Sequence, residues 1–594
     1  MNDRVEISQS STSGLARRAA SASRAAAIAP DCSGMDFFTL DRGLRDLLPL
    51  YLDDPLRAHI TPHLQRLGVL AGGRLNDLAN AADKHPPVLH PRDKFGRDEE
   101  WVEHHPAYHE MERIAYYEFG MHAMTHRPGV LGLNAVMPPL VKQLFHYLFA
   151  QAEFGLLCPV NLTDSSSSLV DRFGSDSIRA RYLDALWSQD PATHLRCAQF
   201  MTEKIGGSDA GAAELTAVRD GEDWRLYGEK WFCSNVDADL AVLLARPEGA
   251  VAGGRGLGLF LMPKTLDDGT RNAFTITRLK DKLGSKSMPS GEILFDGALA
   301  FPMGPLDRGM KQMLEMVNSS RLSHLTRAAG MMRRCLNEAL TVARHRRAFG
   351  KPIIEHALLR RQILKLMVPT EQALSALMFT SVVAAAGSAE TLRILTPVVK
   401  YRACRDNVTV ATGAMEVRGG NGYIEDWPNA RLVRDAHLGL LWEGTSNINS
   451  LDAIQRAVGK DRAHLALRHD LSLKLTQSPS LPGQFRTRLE QGVARAFTFA
   501  EEVAASPENE RFCRMAAGGL YHAITAVLLA HEGALLGEAG GDARRLILSR
   551  FVLEHRLLDR PNLSMQGLAW EDEATSLLLS EDNVTLDAAR AILG

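Results

Sequence analysis

The chain has 594 residues, which is too long for a single hydrophobic core, so several domains are expected. Hydrophobic residues make up 45% and charged residues 23%, the ordinary balance of a soluble globular protein. A formal net charge of -2 gives no general attraction to nucleic acid or an anionic membrane, seven cysteines without a C-x-x-C pair give no zinc or iron–sulfur pattern, and no apolar run approaches the length of a membrane span.

Residues 1–35 are rich in Ser, Ala and Arg, with no acid between Glu6 and Asp31. A mitochondrial leader, an arm around a partner subunit and plain disorder all share this composition. Asp3 and Glu6 are unusual in a leader, so a disordered tail or arm is expected, in a cytoplasmic protein. From 36 to 195 the periodicity is helical: Met111–Met124 and Met137–Phe154 carry apolar residues at spacings of three and four. Few β-rich runs are visible there.

The texture changes near Leu195. Leu215–Val218, Trp224–Tyr227, Leu240–Leu244, Gly258–Met262 and Ile293–Phe295 read as strands, with Asp220-Gly221 as a hairpin turn. Residues 196–308 are therefore expected to form a small antiparallel β-domain. After Gly309 helices return, in Met310–His345, Leu358–Ala386, Thr391–Val417 and Glu443–Val458. The bundle is expected to span 309–459. A Pro-rich joint at 477–482 suggests a boundary near 460–482, with an additional helical domain over 460–594.

Four runs carry chemistry. Gln199 to Asp209 leaves an apolar strand and enters a Gly-Gly turn containing Thr202 and Ser208, where backbone N–H groups can approach a ligand. A tight surface loop is the plain alternative, and Ala210 excludes a G-x-S-x-G elbow. Lys230 to Asn235 sets Trp231 beside small polar residues, suited to a planar ring or to a core strand. Arg344 to Pro352 is either a cationic helix end or an arginine aimed at a pyrophosphate, with Phe349 beside an adenine. Arg418 to Tyr423 precedes Leu441 to Ile448, in which Glu443 stands between Trp442 and Gly444, a candidate base in an apolar wall. His105 and His109 lack a third ligand, and no metal is expected.

Over residues 100–455 these runs resemble the acyl-CoA dehydrogenase family. Thr202-Glu203-Lys204-Ile205-Gly206-Gly207-Ser208-Asp209, Trp231-Phe232-Cys233, the set Arg346, Phe349, Gly350 and Ile353, the turn Gly419 to Tyr423 and the segment Trp442 to Thr445 are similar to its signatures and stand in its order. His105 to His109, Cys158-Pro159, Trp442 in place of Tyr, and the helical extension look like the AidB-type alkylation-response branch.

The resemblance implies helices, a central antiparallel β-domain, a helical bundle and extra C-terminal helices. It implies bound FAD and dehydrogenation of an acyl-CoA, with Glu443 as the base. Phe200, Met201, Thr202, Gly207 and Ser208 would face the flavin and ribityl chain. Trp231, Cys233 and Ser234 would cover the ring. Arg346 and Phe349 would reach the FAD of a neighbouring subunit in a homotetramer. Gly419 and Gly420 would follow the adenosine, with Thr445 and Asn447 near the phosphates. Ser208 and Arg321 would meet the CoA arm. Ser320, where other branches hold an alternative base, cannot act as one. Electron-transfer flavoprotein is the implied acceptor.

Three positions depart from the pattern. Cys233 replaces Thr or Ser, leaving Ser234 or a backbone N–H for the ring nitrogen. Glu416 replaces Gln, with Arg418 as the partner that would offset it. Gln362 is displaced from the adenine-side Gln. A DNA-associated flavoprotein is the rival reading, but residues 456–594 hold 16 Lys+Arg against 18 Asp+Glu, with only Arg544, Arg545, Arg550 and Arg556 as a small candidate patch. A monooxygenase of the same fold would lack Glu443.

Overall fold

The computed structural model describes residues 28–559 and 564–594. The tail expected over residues 1–27 lies outside the described residues. Residues 28–35, expected to belong to it, are instead pinned to the core. Cys32 is buried and its backbone N–H donates to Glu338 at 3.2 Å, while Arg418 donates to the carbonyls of Ala29 and Pro30.

The N-terminal third is helical except for a hairpin that the sequence reading missed. Strand β1 (Val88–Arg92) pairs antiparallel with β2 (Asp98–Glu103). Both strands are largely exposed and rich in charge, so the apolar alternation that marks a strand is absent. Glu100 fastens the hairpin to the β-domain by accepting from the backbone N–H of Ile276 at 2.7 Å. Helix α1 (Pro139–Ala150) starts at its proline, whose missing N–H is no loss in a first turn. Helix α2 (Leu157–Phe173) follows and packs against the β-domain.

The β-domain is one seven-stranded sheet in the order β3 (Cys197–Phe200), β5 (Asp223–Ser234), β4 (Thr216–Asp220), β6 (Leu240–Pro247), β7 (Gly258–Pro263), β9 (Ser290–Pro302), β8 (Phe274–Leu279). Asp220-Gly221 forms the β4–β5 hairpin turn as expected. The sheet is mixed, not purely antiparallel, because β3 and β4 both run parallel to β6. A second hydrophobic core fills its interior, including Phe200, Leu226, Cys233, Phe260 and Ile293.

Three long helices make the bundle: α3 (Gly309–His345), α4 (Ala357–Ala385) and α5 (Ala389–Arg418). The helix Pro428–Leu438 was not foreseen, and the last expected bundle helix begins at Ser446 rather than Glu443. Beyond 460 the chain stays helical through His464–Thr476, and residues 477–482 are a turn inside packed helices rather than a linker. Helix α6 (Cys513–Glu538) lies on α4 and α5, so the C-terminal region shares the main core. Arg545 knits it there, donating to Glu371 and Glu532, each at 2.8 Å, from a fully interior position.

Contrary to the sequence reading, Ala357–Ala385 and Pro507–Glu538 are long and apolar enough to cross a membrane. Their most apolar windows are 83% and 78% buried within the fold, so helix packing accounts for their composition.

Candidate active site

The base candidate sits on a strained turn. The helix Pro428–Leu438 runs out through Leu441 and Trp442, whose N–H groups donate to Leu438 O, and Glu443 then takes a left-handed φ of 54°. Gly444 follows with φ 90°, where a Cβ would meet the Ile448 side chain at 2.9 Å. A left-handed glutamate costs on the order of 1–3 kcal/mol and persists only where its surroundings hold it. They do so through the backbone. Arg321 Nε donates to the Glu443 carbonyl at 3.1 Å, Lys400 Nζ to the Gly444 carbonyl at 2.6 Å, and Asn449 Nδ2 to the Gly444 carbonyl at 2.7 Å. The Glu443 N–H has no acceptor among the described residues.

The Glu443 carboxyl is raised above the ordinary carboxylate range. Burial is the leading cause, opposed by the neighbouring Ser320 hydroxyl and by the positive charges of Arg321, Lys400 and Arg327, although the residue as a whole is half-buried. Burial also brings Lys400 down to about 8. Trp442 stacks near Phe154 at 6.5 Å and meets His324 edge-on at 5.6 Å, forming an aromatic wall beside the carboxylate. Cys158, on α2, lies near Ser234 and Arg327 and is pushed up to about 11 by burial, so it is a neutral thiol. The end of β5, α2, α3, α5 and the Glu443 turn therefore converge on one place.

The first two sequence runs are joined, since the Trp231 N–H donates to Thr202 O at 2.8 Å. Phe200 is buried, Met201, Thr202, Trp231 and Ser234 are half-buried, and Gly207 and Ser208 lie exposed at the turn. Glu203 braces this loop from below. It accepts from Lys230 Nζ at 2.6 Å and from the N–H groups of Glu214 and Leu215, a fully buried arrangement.

At the far end of α3, Arg346 stands against Gly419, close enough that a Cβ there would meet its Nη1 at 3.0 Å. Gly420 has open space beside it. Phe349 is 96% exposed. Arg346, Phe349, Gly419 and Gly420 thus form a second group. Thr445 caps the helix Ser446–Leu451 by accepting from Ile448 N, and Asn447 is exposed on its first turn.

Several expectations need correction. Arg321 is not free for a CoA arm, because it is paired with Asp452 at 2.7 Å and holds the Glu443 carbonyl. The Cys233 thiol points into the β-domain core, so only its backbone is available to a ring. Glu416 is held by Gln362 at 2.8 Å, whereas Arg418 pairs with buried Glu338 at 2.6 Å. The candidate DNA patch is broken up, since Arg545 is interior and Arg544 pairs with Asp542. His105 caps a helix and His109 pairs with Glu112. Phe154, His324, Arg327, Lys400 and the Glu203–Lys230 pair were missed. For His324 and Arg327 the signal was there: they follow Ser320 at helical spacings of four and seven.

These groups fit a flavin adenine dinucleotide. The Arg346 guanidinium, whose one hydrogen bond among the described residues is at 3.5 Å to Arg418 O, stands beside a glycine pair and suits a pyrophosphate. At the β5 end, Ser234 and the buried, unpaired Nδ2 of Asn235 supply polar groups next to Trp231.

Comparison with known proteins agrees. The profile "Adaptive response protein AidB N-terminal domain" matches residues 28–190, "Acyl-CoA dehydrogenase, middle domain" 198–298 and "Acyl-CoA dehydrogenase, C-terminal domain" 307–459. The chain is 32% identical to "Acyl-CoA dehydrogenase family member 11" of Caenorhabditis elegans, covering 72% of this chain and 71% of that one. It is 32% identical to "Putative acyl-CoA dehydrogenase AidB" of Escherichia coli, covering 66% and 72%. The crystal structure of Caenorhabditis elegans ACDH-11 in complex with C11-CoA superposes with a TM-score of 0.82 at 25% identity, covering 90% of this chain and 93% of the other. The chain belongs to the acyl-CoA dehydrogenase family, in its AidB-type branch, and the cofactor of that family is FAD.

Proposed function

We propose that the protein dehydrogenates an acyl-CoA thioester between Cα and Cβ, with Glu443 taking the α-proton. FAD, held by Thr202, Trp231, Ser234, Arg346 and Gly419, would supply the hydride acceptor. The observation that carries this reading is Glu443 on its left-handed turn, half-buried beside Ser320, with burial raising its carboxyl. An α-proton is weakly acidic, and a carboxylate raised by burial is a better match for it than one in water. The unpaired Glu443 N–H is a donor suited to the thioester oxygen as charge develops there. Trp442, Phe154 and the neutral Cys158 form the wall beside the carboxylate.

Electron-transfer flavoprotein is the acceptor in this reading, and the assembly is a homotetramer, supported by the exposed Phe349. A cytoplasmic location accords with seven free, buried thiols. The buried Arg545 and the paired Arg544 count against duplex DNA as partner. The test is anaerobic mixing of the yellow protein with straight, branched and functionalised acyl-CoAs. Bleaching of the flavin band by at least one supports the reading, and bleaching by none overturns it.

A further inference from the structure

The wall beside the base holds a charge that proton abstraction does not use. Arg327, on α3, is 1% exposed, and no carboxylate among the described residues pairs with it. Its contacts are long or weak. Nε donates to Ser323 O at 3.4 Å, Nη2 lies 3.4 Å from His324 Nε2, and the nearby Cys158 is a neutral thiol. The guanidinium sits 5.1 Å from the Phe154 ring centre and 5.7 Å from that of Trp442. Nη1 has no hydrogen-bond partner among the described residues. A buried guanidinium without a counter-charge is costly unless something else supplies one.

Two neighbours on the same helix face are also unpaired: Ser323 Oγ and His324 Nδ1. Burial holds the His324 imidazole well below its ordinary pKa, so the ring is neutral. Arg327 can only donate, so Nε2 is the accepting nitrogen and the proton sits on Nδ1. Arg327 Nη1, His324 Nδ1–H and the Ser323 hydroxyl are then three buried donors without an acceptor. The other ionisable groups around Arg327 are Cys158, Cys404, Lys400, Glu443 and His146, the last held neutral by burial with a pKa of about 3. The thiols are neutral, Lys400 is a donor bonded to Gly444 O, and Glu443 is the base itself.

Position follows from helix geometry. Arg327 lies seven residues beyond Ser320, about 10 Å along the axis, and its side chain folds back one turn to the Ser323 carbonyl. The guanidinium is thus roughly 5 Å past the level of Ser320, about four carbon–carbon bonds beyond the carbon that faces Glu443.

We propose that Arg327, with His324 and Ser323, recognises a carboxylate on the acyl chain, so that the preferred substrates are CoA monothioesters of dicarboxylic acids five or six carbons long. This rests on the acyl-CoA reading of the Glu443 site. An alkyl chain would leave all three donors unpaired, whereas a carboxylate has lone pairs for each of them.

The experiment compares glutaryl-CoA and adipyl-CoA with butyryl-CoA and hexanoyl-CoA. It uses flavin reduction in the wild-type holoenzyme, and calorimetric binding to wild type and to Glu443→Gln. Arg327→Met and Arg327→Lys are then run on the same panel. The expected result is at least about tenfold better kcat/KM and affinity for a dicarboxylic thioester, as for a buried charge-assisted hydrogen bond. Arg327→Met should reverse the preference, and Arg327→Lys should keep part of it. Equal or better use of hexanoyl-CoA by wild type overturns the proposal even if Arg327→Met fails to fold. If no thioester bleaches the flavin, the dehydrogenase reading fails, and the binding comparison still decides whether Arg327 selects the carboxylate.

Discussion

Ser320, on α3, lies beside the carboxylate of Glu443 and holds its pKa down, so the residue that cannot serve as a base tunes the one that can. Its hydroxyl opposes the rise caused by burial. Ser320→Ala should therefore raise the Glu443 pKa further. The base must be ionised, so activity is lost as pH falls through that pKa, and the acid limb of the kcat profile should move to higher pH. A pH–rate series on wild type and Ser320→Ala checks the direction, and an unmoved or lowered limb refutes it.

Glu443→Gln should keep bound FAD and lose flavin reduction by about 10²–10⁴-fold, since the amide keeps the shape and cannot accept a proton. It should also change stability in a pH-dependent way. A carboxyl raised by folding contributes stability below its unfolded pKa and loses it as pH rises through the folded value. The variant should therefore melt above wild type at neutral and alkaline pH, with the gap closing as the buffer is taken to acid. A gap that widens in acid would show that the sign is wrong.

The long helices were legible because their apolar spacing survives burial on most sides, and the Glu443, Trp231 and Gly419 segments because glycines and aromatics punctuate them. The β1–β2 hairpin was not, since its strands hold charged residues with little apolar alternation. Arg321 was misread for a physical reason: a sequence cannot say whether an arginine faces a ligand or an internal carboxylate, and Asp452 lies 131 residues away. The same limit hid Arg327 as a buried residue with no carboxylate partner among the described residues.

The Glu203–Lys230 ion pair is fully interior and holds the loop that leads to Ser208. Lys230→Met should cost about 3–5 kcal/mol, because it leaves a buried carboxylate without its counter-charge. Replacing both residues, Glu203→Gln with Lys230→Met, should recover part of the loss. Chemical denaturation of the three proteins checks this, and a Lys230→Met protein as stable as wild type would show that the pair is solvated in solution.

Phe349 is 96% exposed on a tight turn with φ 51°, an arrangement with no benefit to an isolated subunit. Phe349→Ser should weaken the proposed tetramer, and FAD occupancy with it if Arg346 completes a neighbour's site. Sedimentation at a series of concentrations measures the first and the flavin-to-protein absorbance ratio the second. A variant that sediments like wild type and stays fully yellow would remove Phe349 from the interface.

Arg321 ties the base turn to the bundle. Its Nε donates to the Glu443 carbonyl and its Nη1 to Asp452, which also pairs with Arg393 at 2.7 Å. The left-handed Glu443 backbone is held from three sides by Arg321, Lys400 and Asn449, so removing one holder should let the turn relax while the fold survives. Arg321→Met should thus lower kcat by about ten- to a hundredfold, the usual effect of misplacing a catalytic group by an ångström, with FAD retained. Affinity for the thioester should change little, because the guanidinium is occupied by Asp452 and not by substrate. Arg321→Lys can restore the ion pair but not both bonds at once, and should recover only part of the rate. Steady-state kinetics with a calorimetric Kd separates the two roles. A large loss of affinity with unchanged kcat would return Arg321 to the CoA arm, where the family resemblance first assigned it.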